Sequence, residues 1–120
     1  MRHLTITLQQ DWKHVLRAAG SKAAHGAANG EYQGEYLNFE APAQFFGKLT
    51  ERRWEIIRHM QSANAMSVRE LARRLARDPK RVLEDIRVLI QLGIFEKNED
   101  DKIVCPFADI HVDMHLAAAA

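Results

Sequence analysis

The stretch SVRELARRLARDPKRVLEDIRVLIQLGI, residues 67–94, contains two helix starts and one helix end at close spacing. Ser67 stands three residues before a glutamate, the arrangement of a capping box in which each side chain bonds the other residue's amide. Asp78 before Pro79 marks a second start, because aspartate caps free amides and proline suits the first helical turn. Gly93 supplies a left-handed turn that ends a helix. The stretch therefore predicts two helices joined by a tight turn.

Apolar residues recur at helical spacing in these two helices and in the segments before them. Thr50 can cap a helix that starts at this residue, runs to about residue 63 and so precedes the two helices above. Its buried side is predicted to carry Trp54, Ile57 and Met60, while a short helix starting at Pro42 is predicted to bury Ala43, Phe46 and Leu49. The later two helices are predicted to bury Val68, Leu71, Ala72, Leu75, Val82, Ile86, Leu89 and Ile90.

After the last helix the apolar period changes to two, which is typical of strands. Residues 94–97 and 102–105 flank a polar turn at residues 98–101, so we expect a β-hairpin that Pro106 closes. Three helices followed by a hairpin predict a winged helix-turn-helix domain over residues 48–116, and the fold class is α+β.

A last strand is predicted over residues 110–116, with polar side chains alternating along one face. His111, Asp113 and His115 are possible zinc or iron ligands there, since two histidines and a carboxylate form a common ligand set. Alternation along any polar strand face gives the same pattern. We therefore expect structural roles for His111 and Asp113 and no metal.

The first 47 residues predict a strand-helix-strand appendage. Residues 4–8 and 35–40 alternate as strands, and Asp11 can cap a helix between them. Trp12, Val15 and Leu16 form an apolar stripe on that helix, which runs into the Ala- and Gly-rich residues 18–34. We expect residues 1–47 to serve dimerisation or partner binding, and residues 117–120 to be a tail.

Basic residues are concentrated in the middle of the chain, although the net charge is only +1. Residues 48–97 carry twelve basic and seven acidic side chains, whereas residues 98–120 carry one basic against five acidic ones. A polyanion would be drawn to residues 48–97 and repelled by residues 98–120. A solvated charged surface gives the same distribution, so charge alone leaves both interpretations open.

The third helix of the domain is predicted to enter the major groove of double-stranded DNA, which is wide enough for a helix. Side chains opposite its buried stripe then face the DNA, together with residues around the start of the second helix. The predicted DNA-binding residues are Ser67, Arg69, Arg77, Lys80, Arg81, Glu84, Arg87 and Gln91.

Within this set, Lys80 and Arg81 can read guanine and Glu84 can accept from a cytosine amine. Arg87 and Gln91 lie deeper along the helix and are expected to meet the backbone. Each residue also has a plain alternative as a solvated side chain, and Glu84 can pair with Lys80 or Arg87 at helical spacing.

The tip of the hairpin is acidic, with Glu99, Asp100 and Asp101 in a row. We expect this tip to stand clear of phosphates, so that Lys97 or Lys102 makes any contact from the hairpin base. The alternative is that the acidic tip contacts a basic protein.

Residues 49–55, 67–75, 89–94 and 110–113 resemble small prokaryotic winged-helix regulators that are MarR-like in fold. The resemblance implies a transcriptional regulator, a repressor acting as a homodimer. Some relatives are antitoxins, which implies the alternative of a protein that neutralises a cognate toxin and represses its own operon. The motif carries Ser67, Arg69, Asp78, Lys80 and Asp85 into the DNA-facing unit. Pro79 departs from the pattern and removes one amide from the helix start.

Other classes of function find little support. The chain contains no Gly-rich phosphate loop and no nucleophile elbow, so we expect neither an enzyme nor a cofactor. No stretch approaches the roughly 20 apolar residues that a membrane helix needs, and the N-terminus lacks a secretory signal. The lone Cys105 forbids an internal disulfide and fits a reducing cytoplasm.

Overall fold

In a computed structural model of the chain, the structure describes residues 2–8 and 34–115. These residues form five strands and four helices, which confirms the α+β class. The predicted helix after Asp11, the Ala- and Gly-rich stretch up to residue 33, residue 116 and the tail lie outside the described residues.

The chain divides into two compact units. The helical unit is Lys48–Ala108, and the sheet unit consists of the described residues of Met1–Gly47 and Asp109–Ala120. The division at residues 47 and 48 coincides with the start of the positively charged segment.

The sheet unit is built on β1 (Arg2–Leu8), which runs parallel to β2 (Glu35–Phe39). Both strands were expected from alternation. The strand order is β2, β1, β5, where β5 is the last strand (Phe107–Asp113), so β1 is central, and its side chains Leu4 and Ile6 are buried. The Thr7 hydroxyl, also buried, donates a 2.8 Å hydrogen bond to Asn38 Oδ1 on the paired residue of β2. The one buried polar side chain of this strand is therefore satisfied.

The short helix α1 (Pro42–Lys48) begins where the proline predicts, but its buried side was predicted wrongly. Phe45 is buried and packs edge-to-face on Phe39 at the end of β2, with ring centroids 5.7 Å apart. Phe46 is 58% exposed and Ala43 is also exposed, whereas Leu49 is buried as expected. A helix of two turns has too few apolar positions to fix its phase, so packing on the adjacent strand decides it.

Three helices make up most of the helical unit: α2 (Glu51–Gln61), α3 (Val68–Leu75) and α4 (Pro79–Gln91). Thr50, Ser67 and Asp78 cap them as predicted, each accepting a hydrogen bond from an amide two or three residues ahead. Residues 76–78 alone connect α3 to α4. The buried side chains of these helices are Ile56, Ile57, Met60, Leu71, Ala72, Val82, Ile86 and Leu89.

The hairpin follows α4 as predicted, with β3 (Glu96–Lys97) antiparallel to β4 (Ile103–Val104). Gly93 ends α4 with a φ of +81°, the left-handed conformation that glycine adopts at low cost. Met66 also pairs with Ile103 through two backbone hydrogen bonds of 2.8 and 3.2 Å. This bridge, which no local sequence pattern predicts, ties the segment before α3 to the hairpin.

The last strand, β5 (Phe107–Asp113), begins three residues earlier than predicted. Phe107 is buried and directly follows Pro106, so the strand starts as soon as the chain leaves the hairpin. Met114 and His115 follow the strand instead of lying in it. In the part of the chain that the structure describes, every helix is too short or too polar to cross a bilayer.

Candidate nucleic-acid interface

Helix α4 presents one buried and one exposed face in the helical unit. Val82, Ile86 and Leu89 are buried, as their spacing predicts. Lys80, Glu84, Arg87 and Gln91 lie on the opposite face and Arg81 lies on its flank, and all five are exposed. Five of the eight predicted site residues therefore lie together on one solvent-facing surface, which we call the α4 face.

An ion pair fixes α4 against α2. Arg53 Nε lies 2.9 Å from Asp85 Oδ1, and the two side chains are only 18% and 16% exposed. Arg53 also donates from Nη1 to the carbonyl of Lys48 at 2.8 Å. Asp85, which the family resemblance carries into the DNA-facing unit, thus lies on the flank of α4 that faces α2.

Two arginines of α3 are held by one carboxylate. Arg73 donates two hydrogen bonds to Glu70, of 3.0 and 2.6 Å, and Arg74 donates a third of 2.9 Å. These bonds lower the pKa of Glu70 from 4.5 to about 2, with Arg73 as the main cause and Arg74 second. The carboxylate therefore bonds the arginines instead of the Ser67 amide, so only half of the predicted capping box forms.

Arg77 is also engaged within the unit. Its guanidinium donates to the Glu55 carboxylate and, at 3.2 Å, to the backbone carbonyl of Arg52. The side chain is 16% exposed. Of the predicted site residues, Arg77 is the one whose charge is turned toward α2.

The cations of the α4 face remain available. Among the described residues, Lys80, Arg81 and Arg87 form no ion pair, and neither does Glu84. The alternative in which Glu84 pairs with Lys80 or Arg87 does not occur.

The start of α3 adds two further predicted residues. Arg69 is exposed and forms no ion pair among the described residues. Ser67 Oγ accepts from the Glu70 amide at 3.1 Å, so this hydroxyl orients the first turn of the helix.

The hairpin tip is held by Asn98, whose Oδ1 accepts from the amides of Asp100 and Lys102 at 3.0 and 2.9 Å. Asp101 adopts a left-handed φ of +61°. Its carboxylate lies 3.4 Å from Lys97 Nζ. One of the two lysines expected to contact phosphate from the hairpin base is thus paired with a tip acid.

A groove lies between α4, the start of α3 and the hairpin, and its cavity volume is about 560 Å³. Val68, Leu83, Ile86, Ile90 and Ile103 give it an aliphatic lining. Polar atoms come from Ser67, Arg87, Lys97 and Asp101. We call it the α4–hairpin groove.

The described residues offer no cluster of three or more His, Cys, Asp or Glu side chains that could hold a metal ion. His111 and Asp113 lie on β5, but His115 is beyond its end. Cys105 is half-buried, and burial raises the pKa of its thiol; Sγ donates to the carbonyl of Phe107 at 3.6 Å.

The basic residues of the helical unit differ mainly in whether a carboxylate of the same unit pairs with them. The spacing of residues in the sequence could predict only some of these ion pairs. The spacing of three and four between Glu70 and the two arginines of α3 is the signal that was available. The partners of Arg53 and Arg77 lie 32 and 22 residues away, so no local pattern could have found them.

Residues 48–112 of the chain match the family model described as HVO_A0114. The matched region begins where the helical unit begins and ends within β5. Neither the search of curated proteins nor that of solved structures found a match to the chain.

Proposed function

The chain belongs to the HVO_A0114 family, and we propose that it is a sequence-specific double-stranded DNA-binding regulator of transcription. The proposed mechanism places the α4 face in the major groove, where its side chains contact bases and phosphates. Arg69 adds a phosphate contact from the start of α3.

We propose that the helical unit is a winged helix-turn-helix, and the order and packing of its elements support this. Helices α3 and α4 are joined by three residues, and α2 packs on α4 through Arg53 and Asp85. A hairpin follows α4, and Met66 adds a bridge to it before α3. The sequence resemblance to MarR-like regulators supports the same arrangement.

The observation that carries the proposal is that the basic side chains of the α4 face have no acidic partner among the described residues, whereas four arginines of the same unit do. Arg53, Arg73, Arg74 and Arg77 are neutralised by carboxylates of the same unit. The basic side chains of the α4 face have no such partner among the described residues. A surface whose cations are left unpaired on one helix is suited to a polyanion, since each can displace a counterion from phosphate.

We further propose a homodimeric repressor that works in the cytoplasm, because operators with two half-sites are read by two-fold dimers. The large apolar side chains that the described residues expose are Phe46, Val112 and Met114, and all three belong to the sheet unit. Exposed apolar surface of this kind favours the sheet unit as the dimerisation surface. Sedimentation equilibrium tests this point, and a monomer at every concentration would contradict it.

The direct experiment is selection of duplexes from a random pool by the purified protein, followed by fluorescence anisotropy over a salt series. We expect an enriched sequence, and affinity that falls steeply as salt rises because several phosphates are neutralised. A pool that stays random after repeated rounds, together with salt-independent binding, would refute the proposal.

One observation favours a second candidate function, binding of a basic protein such as a cognate toxin. Glu99, Asp100 and Asp101 are exposed together at the hairpin tip, and like charge keeps such a tip from phosphates. The product of the neighbouring gene, mixed with the purified protein, tests this function. A complex that Glu99→Gln with Asp100→Asn weakens supports it, and no complex contradicts it.

A further inference from the structure

We propose that β5 pairs edge to edge, in antiparallel orientation, with β5 of a second copy of the chain, so that two three-stranded sheets join into one sheet of six strands. His111 of each copy then lies opposite Asp113 of the other. The pairing says how the homodimer of the proposed function forms, and it rests on that part of the proposed function.

β5 is an open edge of its sheet. In the strand order β2, β1, β5 it has β1 on one side and no described strand on the other. Every residue of 108–113 except Ile110 is exposed, whereas β2, at the opposite edge, has no exposed residue. An edge strand presents a row of backbone N–H and C=O groups that can pair with another chain. Of the two edges, β5 is therefore the one with room for a further strand.

The two faces of β5 differ in chemistry, because successive side chains of a strand point to opposite faces. One face is apolar and carries Ile110, Val112 and, just past the strand, Met114. The other face is polar and carries Asp109, His111 and Asp113. Directly opposed residues of an antiparallel pair have their side chains on the same face. A pairing that keeps the apolar side chains together therefore sets odd-numbered residues opposite odd-numbered ones.

Charge complementarity selects one of these registers. A pairing centred on Val112 sets His111 opposite Asp113 at two symmetric places, where an imidazole N–H can donate to a carboxylate. A pairing centred on His111 sets Asp109 opposite Asp113, and one centred on Asp113 sets this aspartate opposite itself. Like charges directly opposite each other are destabilising. His111 and Asp113 form no ion pair among the described residues, so both are available to a second copy.

A register centred on Ile110 is the remaining competitor, since it sets Asp109 opposite His111. Asp109 already lies 3.5 Å from Nδ1 of His3 in its own chain. The same register sets Asp113 opposite the buried Phe107. The pairing centred on Val112 has neither drawback.

The apolar face gains from the same register. Val112 meets its own copy at the two-fold axis, and Ile110 meets Met114. Val112 and Met114 are each 36% exposed, and they are two of the three large apolar side chains that the described residues expose. A single pair of strands buries less than the roughly 1,200–2,000 Å² of a standard interface. We therefore expect a dimer with a micromolar dissociation constant.

Sedimentation equilibrium of the full chain without DNA tests the pairing through variants of opposite expected sign. His111→Lys places a permanent positive charge opposite Asp113 and should tighten the dimer about threefold. His111→Asp places two carboxylates opposite each other at both symmetric places and should weaken the dimer about tenfold. A variant that merely misfolds cannot produce the tighter dimer.

Mixing two weakened variants tests the register itself. Asp113→Lys removes both carboxylates from the central pairs, so its homodimer should also be weaker than that of the wild type. In a mixed dimer with His111→Asp chains, the new lysine lies opposite the new aspartate, and the remaining Asp113 lies opposite the remaining His111. The mixed dimer should be about tenfold tighter than either homodimer. Glu40→Lys, the matched acid-to-lysine change at an exposed residue of the sheet unit, should leave the dimer unchanged.

The outcomes separate this pairing from the proposed function. A dimer whose affinity none of the His111 and Asp113 variants changes would overturn the pairing and leave the homodimer standing. A weaker dimer in His111→Lys, or no gain on mixing, would overturn the register. A monomer at every concentration would overturn the pairing together with the homodimer, while DNA binding by the α4 face stands on its own test. A dimer that responds as expected in a protein that selects no duplex would sustain the pairing and refute the proposed regulator.

Discussion

At the scale of single residues, acidic partners decide which cations of the helical unit can meet a ligand. Glu70 holds two arginines, Glu55 holds Arg77 and Asp85 holds Arg53. The middle of the sequence is therefore less uniformly basic in its fold than its composition suggests. Among the described residues, three cations without an ion pair, Lys80, Arg81 and Arg87, lie on the exposed side of α4, and others lie elsewhere on the unit, including Arg52 and Arg58 on α2.

Glu70 gives the first prediction, on acid stability. The folded pKa, about 2, lies below the ordinary 4.5, so the carboxylate favours folding above pH 4.5, and this contribution disappears as the pH falls toward 2. Glu70→Gln should lower the free energy of unfolding at neutral pH and match the wild type near pH 2. Urea unfolding across this range measures the difference, and a gap that stays constant with pH would contradict it. Glu99→Gln at the hairpin tip is the control.

Asp85 gives the second prediction. Asp85→Ala leaves Arg53 unpaired in a place where the side chain is only 18% exposed. The cost should fall between those of exposed and fully buried pairs, at about 1–3 kcal/mol in the free energy of unfolding. As a control, Asp109→Asn removes the mostly exposed partner of His3 and should cost less than about 0.5 kcal/mol. Equal losses of unfolding free energy in the two variants would show that the Arg53–Asp85 pair stabilises the fold no more than an exposed pair does.

At the scale of elements, caps and glycine were predictable, but the phase of short elements was not. Thr50, Ser67, Asp78 and Gly93 act where the sequence places them, because capping depends on the local backbone alone. Tertiary contacts set the buried side of α1 and the start of β5. Phe45 is buried by the neighbouring strand β2, and Phe107 begins its strand within the core of the helical unit.

Two glycines give a matched prediction at this scale. In both, no heavy atom of the described residues lies within 4 Å of the position that a Cβ would take, so only backbone conformation separates them. Gly93→Ala should destabilise the protein by about 1–2 kcal/mol, because alanine must adopt a left-handed φ. Gly47→Ala, in helix α1, should stabilise it by about 0.5–1 kcal/mol. Thermal unfolding measures both, and the same sign in the two variants would contradict the assignment.

At the scale of the whole molecule, charge is arranged so that a basic helix face and an acidic hairpin tip occupy one unit. The composition predicted an excess of basic residues over 48–97 and of acidic residues over 98–120. It could not predict which cations the fold would neutralise, because the partners of Arg53 and Arg77 are distant in sequence. Five of the eight predicted site residues lie on the α4 face, and Arg77 is the one turned into the unit.

The acidic tip gives a prediction for the salt dependence of DNA binding. Glu99 and Asp100 form no ion pair among the described residues, so Glu99→Gln with Asp100→Asn releases no lysine. If the tip stands clear of phosphates, the slope of log affinity against log salt should equal that of the wild type. A slope steeper by one ion or more would place the tip at the DNA backbone.

The α4 face is tested most directly by charge reversal with a matched control. Lys80→Glu with Arg81→Glu reverses two exposed cations on this face, and Arg52→Glu with Arg58→Glu makes the same charge change on exposed positions of α2. With a duplex that the wild type selects, anisotropy should show a loss of at least about thirtyfold for the first pair, since each base contact contributes about 1–3 kcal/mol. The control should lose far less, and circular dichroism should show unchanged helicity in both. Wild-type affinity in the Lys80 and Arg81 variant, or an equal loss in the control, would contradict the account.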